Sequence, residues 1–559
     1  MTAWGHCTDD LSLDQETLLF EPAQPAAHAL RTVLAFPSTY SVGITSLGFQ
    51  VVWATLARRS DLDVRRLFTD RGDPPHRHCD LFGLSLSWEL DGPVLLDLLE
   101  QQRIPLWSQQ RGEDDPIVFG GGPVLTANPE PLAPFFDAIL LGDGEQLLPD
   151  FVEEVIAQRQ APRAERLRAL ARVPGVYVPA LYAPRYSSDG RLLGVEPTEA
   201  GVPATVAKQT WRGNTLSHSM VITPEAAWPS IHMVEVVRSC PELCRFCLAS
   251  YLTLPFRTPS LDDGLIPAVE AGLGATRRLG LLGASVTQHP QFDDLLSWLD
   301  QDRFEDTRVS VSSVRAATVT PQLARILAKR GSKSLTIAIE SGSQRMREVV
   351  NKKLSSEEIF AAARYAKEGG LTGLKLYGMV GLPTECDEDI EATADLLLAL
   401  KKATPGLRLS LGVSSFVPKA HTPFQWEPVR PEAEKRLKRL AKRLKPKGIE
   451  LRPESYGWSV IQALLSRSDR RLAAVIIAVR GRHDSQGGWK AAYRSVCEQE
   501  EGSLPPLPSW QDTTHGVWDP ERVLPWEHLE GPLPKTTLAR HRQEALAVAG
   551  VRPACAAPG

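Results

Sequence analysis

The sequence predicts an α/β protein: an open parallel sheet, then a partial (βα)6 barrel, then a smaller helical and irregular region. Two observations carry this. Short apolar runs alternate with helical patterns through residues 31–160 and again through 229–427, and strands alternating with helices build parallel sheets. Several of these runs end in glycine or small polar residues, the chemistry expected at the carboxyl ends of such strands. A composition of 43% hydrophobic and 23% charged residues over 559 positions gives several compact units ordinary cores and excludes a disordered chain.

Residues 1–30 read as an N-terminal extension. In the first unit, 31–160, strands are expected at 31–36, 81–87, 116–119 and 136–141, with helices at 43–58 and 91–102. Residues 161–228 carry mixed short strands and turns and read as a connecting segment. The alternation resumes in 229–427, with strands expected at 231–237, 278–283, 308–312, 334–339, 373–379 and 408–414. Residues 428–559 open with a charged helix and become rich in Pro and Trp.

The formal net charge of −4 and pI near 6.3 provide no overall attraction to a polyanion. One local exception is 435–447, where Leu437, Leu440 and Leu444 recur at helical spacing beneath a basic face that could grip phosphates or simply face solvent. The first ten residues lack a targeting pattern and no apolar run approaches the ~18 residues that span a bilayer, so a cytoplasmic protein without a membrane partner is expected.

Eight cysteines are too few and too scattered for a disulfide scaffold. Three, however, crowd into Cys240-Pro-Glu-Leu-Cys244-Arg-Phe-Cys247. Three thiolates on one loop can each bind one iron of a cubane cluster and leave the fourth iron open for reaction. The alternative is a structural zinc site, which wants four closed ligands; His232 is the nearby candidate for the fourth.

The C-x3-C-x2-C spacing, with Phe246 before the last cysteine and a (βα)6 pattern around it, resembles the radical S-adenosylmethionine (SAM) superfamily over residues 230–425. The resemblance implies that Cys240, Cys244 and Cys247 hold a 4Fe-4S cluster whose open iron chelates SAM, with the cofactor carrying the radical chemistry. It also implies SAM contacts at later strand ends. Gly283, Ala284 and Ser285 occupy the slot of the family's Gly-Gly-Glu, where absent side chains let backbone carbonyls approach. Ser313 and Arg315 follow the third strand, where a guanidinium can pair with the methionine carboxylate. Glu340, Ser341 and Gly342 resemble a ribose-contacting segment, and Gly378, Met379, Val380 and Gly381 an adenine-contacting loop.

The first unit resembles the Rossmann-like cobalamin-binding domain that precedes the barrel in one branch of the superfamily. Ser38, Tyr40 and Gly43 fill the slot of its Asp-x-His-x-x-Gly, Ser85 and Ser87 that of Ser-x-Leu, and Gly121 and Gly122 that of the later Gly-Gly. Tyr40 replaces the axial histidine, and a phenol is a poor neutral ligand for cobalt. Two readings follow: cobalamin binds without a protein axial ligand, or the fold is kept and the corrinoid lost. Asn128-Pro-Glu-Pro131, the stretch from Phe416 to Trp426 and Pro525-Trp-Glu-His528 resemble an uncharacterised branch of these enzymes.

The expected function is reductive cleavage of SAM for radical modification of a substrate, by methyl transfer if cobalamin is present. A ferredoxin or flavodoxin would be the electron donor, and the substrate would sit among Tyr377, Phe416 and Trp426. The alternatives are an RNA-modifying, methylthiotransferase-like protein and a non-catalytic iron-sulfur scaffold.

Overall fold

The computed structural model describes residues 15–76, 78–498 and 505–550. Its first sheet contains β1 (Leu30–Ala35), β2 (Leu62–Leu67), β3 (Leu81–Ser85), β4 (Ile117–Gly121), β5 (Ala138–Leu140) and β6 (Val176–Tyr177). Their spatial order is β2-β1-β3-β4-β5-β6, parallel throughout except for the antiparallel β6. In an order of this doubly wound kind the chain reverses direction beside β1, and the crevice outside the carboxyl ends of β1 and β3 is where such sheets take ligands. Helices α1 (Leu47–Ala57) and α2 (Gly144–Ala157) flank that crevice.

β2 is absent from the sequence reading because its Asp63, Arg65 and Arg66 break the apolar run. It is an edge strand, where charged side chains are tolerated and discourage pairing with other chains. The connecting segment also needs correction: its Val176–Tyr177 completes the first sheet, and Val221–Ile222 pairs with Thr17–Leu18 of the N-terminal extension. Among the described residues no helix is long and apolar enough to cross a membrane.

The second αβ region places β7 (His232–Glu235), β8 (Arg278–Leu282) and β9 (Arg308–Val311) in one parallel sheet. β10 (Ser334–Glu340), β11 (Gly373–Val380), β12 (Arg408–Ser415) and β13 (Glu450–Pro453) form a second parallel sheet. A parallel bridge from Val314 to Ile337 joins the two, while β7 and β13 are not paired with each other, so the barrel is open on one side. All six expected strands are present, and β13 adds a seventh. The boundary expected at 428 therefore moves: α3 (Glu432–Leu444) and β13 continue the βα alternation of the barrel.

The barrel's outer face is apolar, with Leu335, Ile337, Leu374, Leu376, Leu409 and Leu411 buried beneath its helices. Helices after β13 behave differently. Ile461, Leu464 and Ile476 enter the same core as Leu96 and Leu99 of the first unit, so the final region is a strap across both units. The sequence motifs left unassigned converge there. Asn128 Nδ2 donates to the carbonyls of Ser466 (3.1 Å) and Ser468 (2.9 Å). Buried Glu130 accepts from Tyr177 (2.6 Å) and Arg470 (2.8 Å), with His528 Nε2 at 3.6 Å. Gln425 Oε1 takes the Trp526 indole N–H at 3.0 Å.

Candidate active site

The cysteine loop leaves β7 and turns through left-handed backbone at Ser239 (φ 72°) and Leu243 (φ 53°). Asn351 Nδ2 holds the turn by donating to the carbonyls of Glu242 (3.1 Å) and Leu243 (2.9 Å). The Cys247 N–H donates to Cys244 O at 2.8 Å, folding the last two cysteines into one turn. Cys240 and Cys244 are buried, Cys247 is part-buried, and all three thiols are free. Burial pushes the Cys244 thiol up to about 12 and that of Cys247 up as well; the Lys352 ammonium works against this at Cys244. Lys352 is itself buried and bonded to Glu340 at 2.7 Å.

Among the described residues no three His, Cys, Asp or Glu side chains stand in a ready ion-binding geometry. The donor set suits a thiolate-held cluster better than a closed four-ligand zinc ion. His232, the fourth ligand a zinc site would want, lies on the outer face, its Nε2 bonded to Ala268 O at 2.7 Å and its ring against Gly272.

The remaining expected SAM contacts gather at the carboxyl ends of β8 to β11. Gly283 has no room for a side chain: a Cβ would lie 2.8 Å from Val237 O, and its own carbonyl accepts from Ser312 at 2.9 Å. Ala284 is exposed beside it, Ser285 is buried and bonded to Gln288, and Ser313 is half-buried. Glu340 ends β10 in a left-handed conformation (φ 62°), and Ser341 is buried against Thr393. Gly342 packs so tightly that a Cβ would sit 2.3 Å from Thr393 Cα. Gly378 and Val380 are buried, Met379 packs with Phe246 beside Phe416, and the Gly381 N–H donates to Glu385 Oε2 at 2.6 Å.

Three expectations are corrected. Arg315 is not free for a substrate carboxylate: it pairs with Glu242 at 3.2 Å and donates to Lys352 O at 3.0 Å and to Lys353 O, anchoring the cysteine loop. Phe416 and Trp426 are core residues at 2% and 0% exposure, leaving Tyr377 alone open at 51%. The basic face of α3 is engaged in part: Arg439 and Arg443 reach Asp387, Glu391 and Asp395 of the preceding helix and Arg436 reaches Glu385, whereas Lys435 and Lys442 stay exposed with no ion pair among the described residues.

At the first sheet's carboxyl edge a cavity of about 230 Å³ is lined by Leu84, Ser85, Ser87, Gly121 and Gly122, with apolar residues of α1 and α2. Gly122 (φ 114°) passes so near β3 that a Cβ would meet Leu86 O at 2.3 Å. Ser38, Tyr40 and Gly43 do not line the cavity. Tyr40 turns inward, edge-on to Phe68, and its hydroxyl donates to Glu16, which with burial drives its pKa far above the usual value. Gly43 packs against the same Phe68 ring. An axial role for Tyr40 is thereby excluded in this arrangement.

Arg238, two residues before Cys240, closes one side of this cavity. It binds Asp143 (3.2 Å), Glu145 (2.7 Å) and Glu235 (2.7 Å), joining the start of α2 to the cysteine loop. No local pattern announced this joint or the Lys352–Glu340 pair; only the Gly142-Asp-Gly-Glu145 turn hinted at one partner.

Residues 48–179 match the N-terminal domain of radical SAM proteins, and residues 234–397 match the radical SAM superfamily. The chain belongs to the radical SAM superfamily. An uncharacterised protein of Methanocaldococcus jannaschii is 28% identical over 478 residues, covering 82% of this chain and 97% of that one. The radical SAM methyltransferase TsrM from Kitasatospora setae is similar in structure, at a TM-score of 0.50 and 14% identity over 71% of this chain and 75% of that one. The cobalamin-dependent radical SAM enzyme OxsB gives a TM-score of 0.46 at 15% identity, over 66% and 52%. At such identities the likeness to TsrM shows a shared fold.

The radical SAM core has a wall from the far end of the chain. Helix α4 (Lys535–Gly550) lies over the cysteine loop: Glu544 bonds Arg245 at 3.2 Å and His541 bonds Tyr251 at 3.0 Å. Ala545 packs into the apolar cluster that includes Phe246 and Met346.

Proposed function

We propose that this radical SAM protein holds a 4Fe-4S cluster on Cys240, Cys244 and Cys247 and uses it for reductive cleavage of SAM. The observation that carries the reading is one loop bearing three free thiols at the carboxyl end of the first barrel strand, beside the small-residue turns that end the next strands. When bound, such a cluster supplies one-electron reduction of the SAM sulfonium, the source of a 5'-deoxyadenosyl radical. The chain's own part is positioning. Asn351 and Arg315 fix the loop, Lys352 holds Glu340 beside the thiols, and Thr393 and Glu385 brace the Ser341–Gly342 and Gly381 turns on which a nucleoside would rest. Helix α4 and Phe246 exclude water from one side of the thiols. A small acidic redox protein of the ferredoxin or flavodoxin kind is the proposed electron donor, and a cytoplasmic setting is proposed with it.

Methyl transfer assisted by cobalamin is the reaction we favour, because the first sheet keeps an open crevice at its ligand-binding edge facing Arg238 and the cysteine loop. At 230 Å³ it lies below the ~300–1,000 Å³ of whole-ligand sites. It could take a planar ring of such a cofactor and not its macrocycle, which would have to lie outside it. The chain would present no axial tyrosine to the metal.

Anaerobic reconstitution with iron and sulfide tests the reading, with iron content, absorbance and 5'-deoxyadenosine read from one sample. Cys244→Ala is expected to lose most of its iron, since no nearby side chain replaces the thiolate. Full iron and sulfide content in that variant would overturn the assignment.

A further inference from the structure

The inner face of the barrel has a charge character that the chain as a whole lacks. Strand alternation puts Leu335, Ile337, Leu374, Leu376, Leu409 and Leu411 outward under the helices, and the intervening residues inward. Five of those inward positions are cations: Arg278, Arg308, Lys375, Arg408 and Arg452. The carboxylates on these strands are already paired, Glu235 with Arg238 at 2.7 Å, Glu340 with Lys352 at 2.7 Å and Glu450 with Arg452 at 2.8 Å. Among the described residues Arg278, Arg308, Lys375 and Arg408 form no ion pair. Arg278 and Arg308 are direct cross-strand partners; the Arg278 guanidinium is held by Pro229 O at 2.6 Å, which leaves Arg308, Lys375 and Arg408 as the open cations.

The neighbours of these cations leave space. Lys375 lies beside Thr336 and Ser410, and Tyr377 beside Ala338 and Gly412. A Cβ at Gly412 would be 2.8 Å from the Tyr377 ring, so the glycine lets that ring lie along the sheet with half its surface exposed. Tyr377 immediately precedes the Gly378–Gly381 turn at the cysteine end. At ~3.3 Å per residue, Lys375 stands about 7 Å below it and Arg408 about 13 Å below its neighbour Gly412.

We propose that the inner face seats an anionic substrate, with a planar group against Tyr377 and phosphoryl or carboxylate groups held by Lys375, Arg408 and their neighbours, about 7–13 Å from the reacting end. This rests on the radical SAM reading for the place of reaction and deepens it by naming the substrate class.

Calorimetry with two probes, inorganic pyrophosphate and citrate, tests the inference on the purified full chain at low salt. Lys375→Met/Arg408→Met is compared with wild type and with Lys438→Met, which lies on the exposed side of α3. At least tenfold weaker probe binding is expected in the double variant alone, with its thermal midpoint near that of wild type because both positions are exposed. Tighter pyrophosphate than citrate assigns a phosphoryl substrate, and the reverse a polycarboxylate; either order supports an anion site. Failure of wild type to bind both probes, or equal binding by the double variant, overturns it. Formation of 5'-deoxyadenosine by reconstituted wild type is read separately, so failure of the radical reading is seen independently of probe binding.

Discussion

His528 makes the strap between the two units sensitive to acid. It is buried among Glu130, Arg470, Tyr177 and Tyr182, and burial lowers its pKa from 6.5 to about 4 despite the Glu130 carboxylate. The unfolded chain would take up a proton near pH 6.5 while the folded one resists until about 4. Stability from this group is therefore complete above pH 6.5 and is lost progressively as pH falls toward 4. Between pH 7.5 and 5.5 the linkage amounts to about 1.3 kcal/mol. The assay is urea unfolding of wild type and His528→Gln at both pH values, the double difference cancelling every other titrating group. The variant should lose about 1.3 kcal/mol less on acidification than wild type. Identical pH responses would refute the argument that a buried neutral imidazole sits in this joint.

Gly342→Ala should displace the β10 turn, because its Cβ would fall 2.3 Å from Thr393 Cα, which cannot yield as a side chain could. A loss of about 1–3 kcal/mol in stability and weaker SAM binding by calorimetry are expected, and unchanged values for both would contradict it. Arg315→Ala should make the iron more labile to chelators, since Glu242 and two loop carbonyls lose a charged partner worth about 1.5–3 kcal/mol; wild-type rates of iron loss would remove Arg315 from that role. Substituting Lys435, Lys438 and Lys442 with Gln should leave RNA binding at the background level of wild type, because with the arginines of α3 engaged by the neighbouring helix only these few lysines remain against a formal net charge of −4. A large fall in RNA affinity would restore the basic-face reading.

The sequence showed most clearly what is decided locally. Cys240 to Cys247 announce themselves by spacing, and the barrel strands by apolar runs bounded by turns. β2 and β13 escaped because charges interrupt their apolar runs: Arg66 is buried through its pairs with Glu16 and Asp73, and Arg452 lies on an exposed edge strand. Tyr40 filled a motif slot by position, yet it begins a short helix, Tyr40–Gly43, that turns the ring toward Phe68. The partners of Arg315 and Arg443, and those of Arg238 apart from Glu235, lie in other elements, so no window of sequence could reveal the full engagement of these cations. The inner-face cations were visible individually, but only strand register shows that they share one surface.

The wall over the cysteine loop also carries a consequence in time. Its contacts, Glu544 with Arg245 and His541 with Tyr251, span 299 and 290 residues of chain. At ribosomal speeds of ~5–20 residues per second, roughly 15–60 s separate synthesis of the loop from synthesis of the helix that covers it. For that interval the cysteine loop lacks the contacts of α4, and afterwards the helix stands over it. If the proposed cluster is held there, a nascent chain stalled before residue 535 would take up iron faster than the finished protein.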